Sequence, residues 1–149
     1  MLGPLERLLA IEDIKRLKAR YFRLMDGKDW TGFAELFSHD ASFDVQGALE
    51  ENPGPSQEPI RGRAAIVDYV CGGISPITSA HYGHMPEIDI LTEDSATGIW
   101  ALADILRMPD GAPFARFHGY GHYHERYVRE EGAWRIAALK ITRLMVETA

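Results

Sequence analysis

Residues His81–Asp104 read HYGHMPEIDILTEDSATGIWALAD. The stretch reads as two strands joined by the polar turn Thr92-Glu93-Asp94-Ser95. His81 and His84 open the first strand. The second carries Asp104 inside an otherwise apolar run, Ile99 to Leu106. A carboxylate in such a run is strongly destabilising unless it finds a partner. A histidine on the neighbouring strand is the obvious one, and the chain is expected to form a small cone around that pair.

The elements on either side are consistent with such a cone. Leu5–Met25 is predicted to be a long helix, with Ile14, Leu17, Tyr21 and Leu24 as its apolar stripe. Lys15, Arg16, Lys18 and Arg20 read as its solvated face. Gly27 is the expected stop. Asp26 precedes it, although a helix C-terminus disfavours negative charge. Asp26 is therefore either a solvated turn residue or a functional one. Asp29 can cap a short helix through Phe37, with Trp30, Phe33, Ala34 and Phe37 inward. Ser38-His39-Asp40 reads as a turn and Ala41–Val45 as a strand. The prolines and glycine of Gln46–Pro59 predict a long loop, of the kind that often forms a lid. A third helix is expected over Arg61–Val70, buried through Ala65, Ile66, Tyr69 and Val70 and ended by Gly72-Gly73. Four long strands follow, over Ala80–Leu91, Ala96–Met108, Phe114–Arg129 and Ala133–Val146. The last hairpin turns at Glu130-Glu131-Gly132. Helices first and strands later predict an α+β fold: a curved, mostly antiparallel sheet wrapped around N-terminal helices, as one domain over 1–149.

Bulk properties narrow the function. The chain has 149 residues, 46% hydrophobic and 26% charged, enough for one globular core. A net charge of −6 argues against nucleic-acid binding, which needs a basic patch. No apolar run approaches a membrane span, and the N-terminus lacks the pattern of a signal peptide. Cys71 is the sole cysteine, so a cytoplasmic protein without intrachain disulfides is expected. Between Val70 and Gly72 no cation activates it, and it reads as a structural thiol rather than a nucleophile.

Several residue types carry candidate chemistry. His81 is either a satisfied core histidine or a general base, and Asp26 or Asp104 could orient it. Tyr21 either packs in the core or flanks a pocket at the last helical turn. His118, His122 and His124 share one strand face. His118 lies roughly 13 Å from His122, too far to share an ion, and no third ligand is evident, so no metal site is expected. A polar sheet face or subunit interface is the stronger reading. On the opposite face Gly119 and Gly121, beside Tyr123, are expected to leave room for a ligand. Arg143 is either a pocket cation for a substrate carboxylate or carbonyl, or a surface arginine.

The stretches IEDIKRLKARYFRLMDGKDW, HYGHMPEIDI, ATGIWALAD and GYGHYHERYVREEGAWRIAALKITRL resemble the SnoaL-like branch of the nuclear transport factor 2-like superfamily, which includes scytalone dehydratase and bile acid 7α-dehydratase. The resemblance spans nearly the whole chain except Gln46–Pro59. It implies a cone-shaped fold. By position it implies Asp26 and His81 as the helix aspartate and strand histidine of the dehydratases. Tyr21 and Asp104 match further acting residues of the bile-acid enzyme, and Arg143 lies near a pocket arginine. The chain lacks the second histidine, the tyrosine near Val45 and the polar residues at Gly121 and Tyr123 that scytalone dehydratase uses, which argues against scytalone as substrate. The dehydrochlorinase of the superfamily also uses an aspartate–histidine pair, so the pair predicts proton abstraction better than it predicts the leaving group.

The resulting expectation is a lyase without metal or organic cofactor, acting on a small hydrophobic cyclic substrate. His81 is the base, Asp26 its partner, Tyr21 the donor to the developing enolate, and Asp104 an orienter or proton donor. Phe22, Trp30, Phe43, Trp100 and Tyr123 are the expected pocket walls, and the loop Gln46–Pro59 the expected lid. The alternatives are an isomerase of the ketosteroid type and a non-catalytic binding or oligomerisation module. A homodimer paired through the sheet is also expected.

Overall fold

The computed structural model describes residues 1–55 and 57–149. Helix α1 spans Pro4–Asp26. Pro4 occupies the first turn, where its missing N–H costs nothing, and Glu6 Oε2 accepts from the Gly3 amide at 2.7 Å. The buried positions are Ala10, Ile14, Leu17, Lys18, Tyr21 and Met25. Leu24, expected in this stripe, is only half-buried. Asp29 starts helix α2, Trp30–Ala34, by accepting from the Gly32 amide at 2.9 Å.

Strand β1 spans Phe37–Asp44, so Ser38-His39-Asp40 is strand rather than the expected turn. Its pairing with the last strand slips between Phe37 and Ser42, and this bulge absorbs the exposed His39 and Asp40. Strand β2 is the pair Ile60–Arg61. Arg61 is therefore not helical: Gly62, at φ 90°, makes the turn into helix α3, Arg63–Ile74. This helix runs through Gly72-Gly73 instead of ending there. The half-buried Ile74 packs against the core and holds the last turn, against about 1 kcal/mol of lost helix propensity per glycine. Only Ile66 and Val70 of α3 are buried, whereas Ala65 and Tyr69 face solvent.

Strands β3 (Thr78–Thr92), β4 (Ser95–Arg107), β5 (Arg116–Glu130) and β6 (Ala133–Thr148) form the expected meander. The β5–β6 turn places Glu131 at φ 53° and Gly132 at φ 78°, the backbone that a tight hairpin demands. The six-stranded sheet has the order β2-β1-β6-β5-β4-β3 and is curved and unclosed. Only the β1–β6 pairing is parallel. Helix α1 lies along β3, which is an edge strand. Among the described residues no helix is long and apolar enough to cross a membrane.

Lys18, expected in solvent, is fully buried and ion-paired with Glu125, which points inward from β5. Its Nζ sits 3.7 Å from the centre of the Tyr21 ring and 3.5 Å from that of Tyr123. The spacing Ile14, Leu17, Lys18, Tyr21, Met25 puts Lys18 inside the apolar stripe, and Glu125 has the inward parity of Tyr123 and Tyr127. Burial pulls the Lys18 ammonium down to about 8 despite the opposing pull of Glu125.

Lys18→Met should cost about 3–5 kcal/mol in chemical denaturation, because it strands a buried carboxylate. The double change Lys18→Met with Glu125→Leu should recover that loss or exceed wild type. Between pH 8 and about 10 the unfolded chain binds more protons at Lys18 than the folded one. Wild-type stability should therefore rise with pH across that window relative to the double variant.

Candidate active site

Asp26 ends α1 where the helix dipole offers no help to an anion. It is stabilised from β3 instead. Its Oδ1 accepts from Ser79 Oγ at 2.8 Å and lies 2.6 Å from His81 Nδ1, and its Oδ2 accepts from the His81 amide at 2.8 Å. With Nδ1 turned to a carboxylate, the proton of a neutral His81 belongs there and Nε2 is left as the basic nitrogen. Ser79 was not legible as a site residue. Its one signal is strand parity, two residues before His81.

Asp104 lies on the other side of the imidazole, directly opposite His81 in the β3–β4 register. Its Oδ2 is 3.9 Å from His81 Nε2, close enough for charge interaction but too long for a hydrogen bond. Both oxygens are taken by Arg143, at 2.8 and 2.9 Å, in a fork-to-fork pair. Such a pair is the geometry of an ionised carboxylate. Arg143 Nε donates to the Ala48 carbonyl at 2.7 Å. The guanidinium is thus committed to Asp104 and to the loop after β1, not presented to a ligand. Gly119 creates the space for this pair, since a Cβ there would collide with both Asp104 Oδ1 and the Arg143 guanidinium. At Gly121 a Cβ would meet the Thr142 carbonyl. The room that these glycines leave is filled by protein, contrary to the expectation of ligand space.

A cavity of about 640 Å³ opens along the seam between α1 and β3. Asp26, His81, Phe22 and Trp100 line it, with Lys15, Ala19, Arg23, Tyr82, Gly83, His84, Met85 and Pro86. A β-bulge lies in its strand wall: Gly83 pairs with Leu102 and Pro86 with Trp100, so β3 carries one extra residue there. Gly83 lets the Phe22 ring approach the strand, since a Cβ there would stand 2.7 Å from it.

The other expected wall residues lie elsewhere. Trp30 packs edge-on against Phe33, with ring centres 5.7 Å apart, and Phe43 packs on Tyr69 at 6.2 Å. Tyr123 is buried behind Tyr21, ring to ring at 5.9 Å and nearly perpendicular. Tyr21 is itself buried and does not line the cavity. Burial, aided by the charge of Glu125, pushes its phenol well above the ordinary tyrosine range, so it stays a hydrogen-bond donor. The loop packs on β6, where Glu51 Oε1 accepts from the Val146 amide at 2.8 Å. None of its described residues lines the cavity, and Ser56 lies outside the described residues. Cys71 is half-buried on α3, 3.4 Å from Ser75 Oγ.

On the outer sheet face His124 Nε2 meets Thr142 Oγ1 at 2.9 Å, and the His122 and His124 rings are 6.2 Å apart. Burial, together with His122 and Lys140, pulls His124 below the usual histidine range.

Similar structures share this architecture. An Asp-to-Asn variant of Rv3472, a Mycobacterium tuberculosis protein of unknown function, is 26% identical and aligns over 95% of this chain and 76% of its own, with a TM-score of 0.75. A candidate scytalone dehydratase from Novosphingobium aromaticivorans DSM 12444 is 20% identical over 99% of this chain and 92% of its own, with a TM-score of 0.81. The hexachlorocyclohexane dehydrochlorinase LinA-type3 from Novosphingobium barchaimii LL02 is 18% identical over 99% and 94%, also at 0.81. The last two likenesses are of fold alone. The SnoaL-like domain model matches residues 6–140, and the chain belongs to that family.

Proposed function

We propose that this protein is a lyase that works without a metal or organic cofactor, eliminating water or a comparable leaving group from a small hydrophobic cyclic ketone. The observation that carries this reading is the 2.6 Å contact between Asp26 Oδ1 and His81 Nδ1 in the wall of the α1–β3 cavity. Asp26 holds the tautomer in which Nε2 is basic. Nε2 removes the proton next to the carbonyl, and the electron pair passes to the carbonyl oxygen as an enolate. The imidazolium so formed lies between Asp26 and Asp104, and both carboxylates stabilise it. Collapse of the enolate expels the β-hydroxyl, which takes the proton back from Nε2 and leaves as water. Asp104 serves as a fixed charge rather than as a proton donor, because Arg143 occupies both its oxygens. Tyr21 is buried behind this site and packs against the rings there rather than reaching the substrate, and Phe22 and Trp100 give the ring of the substrate its apolar walls. The dehydratase and dehydrochlorinase among the similar structures support this class of chemistry.

An isomerase uses the same first step. It is the second reading because His81 is placed to be both base and acid, so the imidazolium can return its proton to another carbon instead of to a leaving group.

Proton exchange from candidate cyclic ketones in deuterated water tests both readings. His81→Ala should abolish exchange and turnover while leaving the fold nearly intact. Asp26→Asn should also be severe, on the scale of the about 10⁴-fold loss seen for the matching change in a serine-protease triad. The double variant should be little worse than His81→Ala alone, since the two groups act as a unit. Full turnover by folded His81→Ala would end the general-base assignment.

We also propose a homodimer formed through the outer sheet face. His118, His122, His124 and Arg126 share it with the exposed Ile99, Ile105 and Met145, a mixture of ring and apolar surface typical of interface patches. Light scattering at micromolar concentration should report twice the chain mass of 16.7 kDa, and a monomer there would remove the proposal.

A further inference from the structure

Three cavity residues have no part in the proton chemistry: Lys15, Arg23 and His84. Lys15, Ala19, Phe22, Arg23 and Asp26 lie on one stripe of α1, the stripe that faces β3. From Asp26 to Lys15 is eleven residues, roughly 16 Å of helix. The opposite wall, from His81 to Pro86, runs a comparable distance of about 16 Å along the strand. The cavity is therefore a trough. His81 and Asp26 close one end, Phe22, Gly83 and Trp100 make an apolar middle, and Lys15 lies toward the far end.

The charges along this trough are lopsided. Asp26 is the one acidic residue among the lining residues, and its carboxylate is already engaged by Ser79 and His81. Lys15 has only a loose contact with the exposed Glu12, at 3.7 Å, and Arg23 and His84 are exposed. A chain whose net charge is −6 thus places two cations, Lys15 and Arg23, on the rim of this trough, with only Glu12 paired loosely to the first. His84 lies in the bulge of β3 and lines the cavity.

We propose that the ligand of this trough is an apolar ring compound with an anionic tail, a carboxylate or phosphate, held by Lys15 and Arg23 with His84 beside them while its reacting end meets His81. The inference rests on the reading of the His81–Asp26 cavity given above and names its substrate class. A guanidinium matches the paired oxygens of either anion, and an ammonium just over two turns further along, roughly 12 Å of helix, can take a longer tail. The volume of about 640 Å³ lies within the range of small-molecule sites.

Three matched probes test this: a naphthyl alkanoate, its primary amide and the naphthyl-alkyl phosphate of the same length, titrated calorimetrically at low salt. Both anions should bind about five- to tenfold more tightly than the amide, the range expected of a partly screened ion pair. Molar salt should erase the difference, since the screening length there is about 3 Å. The variant Lys15→Gln with Arg23→Gln, both changes being on the exposed rim, should bind all three probes equally, at the affinity of wild type for the amide. Arg20→Gln, on α1 but outside the trough, should keep the preference for anions. An amide that binds wild type as tightly as the anions overturns the inference and leaves the proton-abstraction reading standing. A preference that survives in the double variant overturns it as well. If none of the three probes binds, the trough is not a ligand site and both readings fall.

Discussion

The carboxylate of Asp26 joins the last turn of α1 to the start of β3, and the rest of the site depends on that junction. A helix C-terminus presents carbonyl oxygens, so an aspartate there is repelled by its own helix. Three donors on β3 reverse the balance: the Ser79 hydroxyl, the His81 amide and the His81 ring. Because one donor is backbone, the helix is held to a particular residue of the strand and not merely to a side chain. Helix α1 then runs back along β3, and near its other end Arg7 donates to the Ile90 carbonyl at 3.1 Å. The seam between these two attachments is where β3 bulges and the cavity opens.

Inside the cone, each inward carboxylate has a basic partner. Asp26 faces His81, Asp104 faces Arg143, and Glu125 faces Lys18. Buried ion pairs give up much of their Coulomb energy to desolvation, so Asp104–Arg143 and Glu125–Lys18 are weak evidence for stability. The two deeper pairs flank the His81 imidazole and the tyrosine rings behind it. Lys18 lies against the faces of Tyr21 and Tyr123, a cation–π arrangement that fixes both rings. Trp100 connects the layers: its indole donates to the Tyr127 hydroxyl at 2.8 Å from the cavity wall.

Much of this was legible in the sequence, because it is local. Strand period, turn residues and the helical stripe identify α1 and the four long strands to within about two residues. The polar turn Thr92–Ser95 makes His81 and Asp104 neighbours on one hairpin, but two register shifts in β3 bring them face to face: an unbroken register from the turn would set Leu106 opposite His81. Asp26 stood out because it breaks a local rule. The misreadings came where tertiary packing overrides local preference. Ser38–Asp40 is carried in β1 as the bulge between Phe37 and Ser42, both paired with β6, and Gly72-Gly73 stays helical where the half-buried Ile74 packs against the core.

The long-range partners were decided only on folding. Lys18 was in plain view inside an apolar stripe, yet a lysine is read as solvated unless its counter-ion is known, and Glu125 lies 107 residues away. The same holds for Arg143, whose role turned on the space left at Gly119 on the adjacent strand. Which of Asp26 and Asp104 bonds to His81 was equally open, because both are near in the fold and neither is near in the chain. The structure settles the contact through distance: Asp26 reaches Nδ1 at 2.6 Å, while Arg143 holds Asp104 back at 3.9 Å from Nε2. Periodicity carries information about which face a residue occupies. It carries none about which buried charge waits on the opposite wall, and in this protein that pairing makes the site.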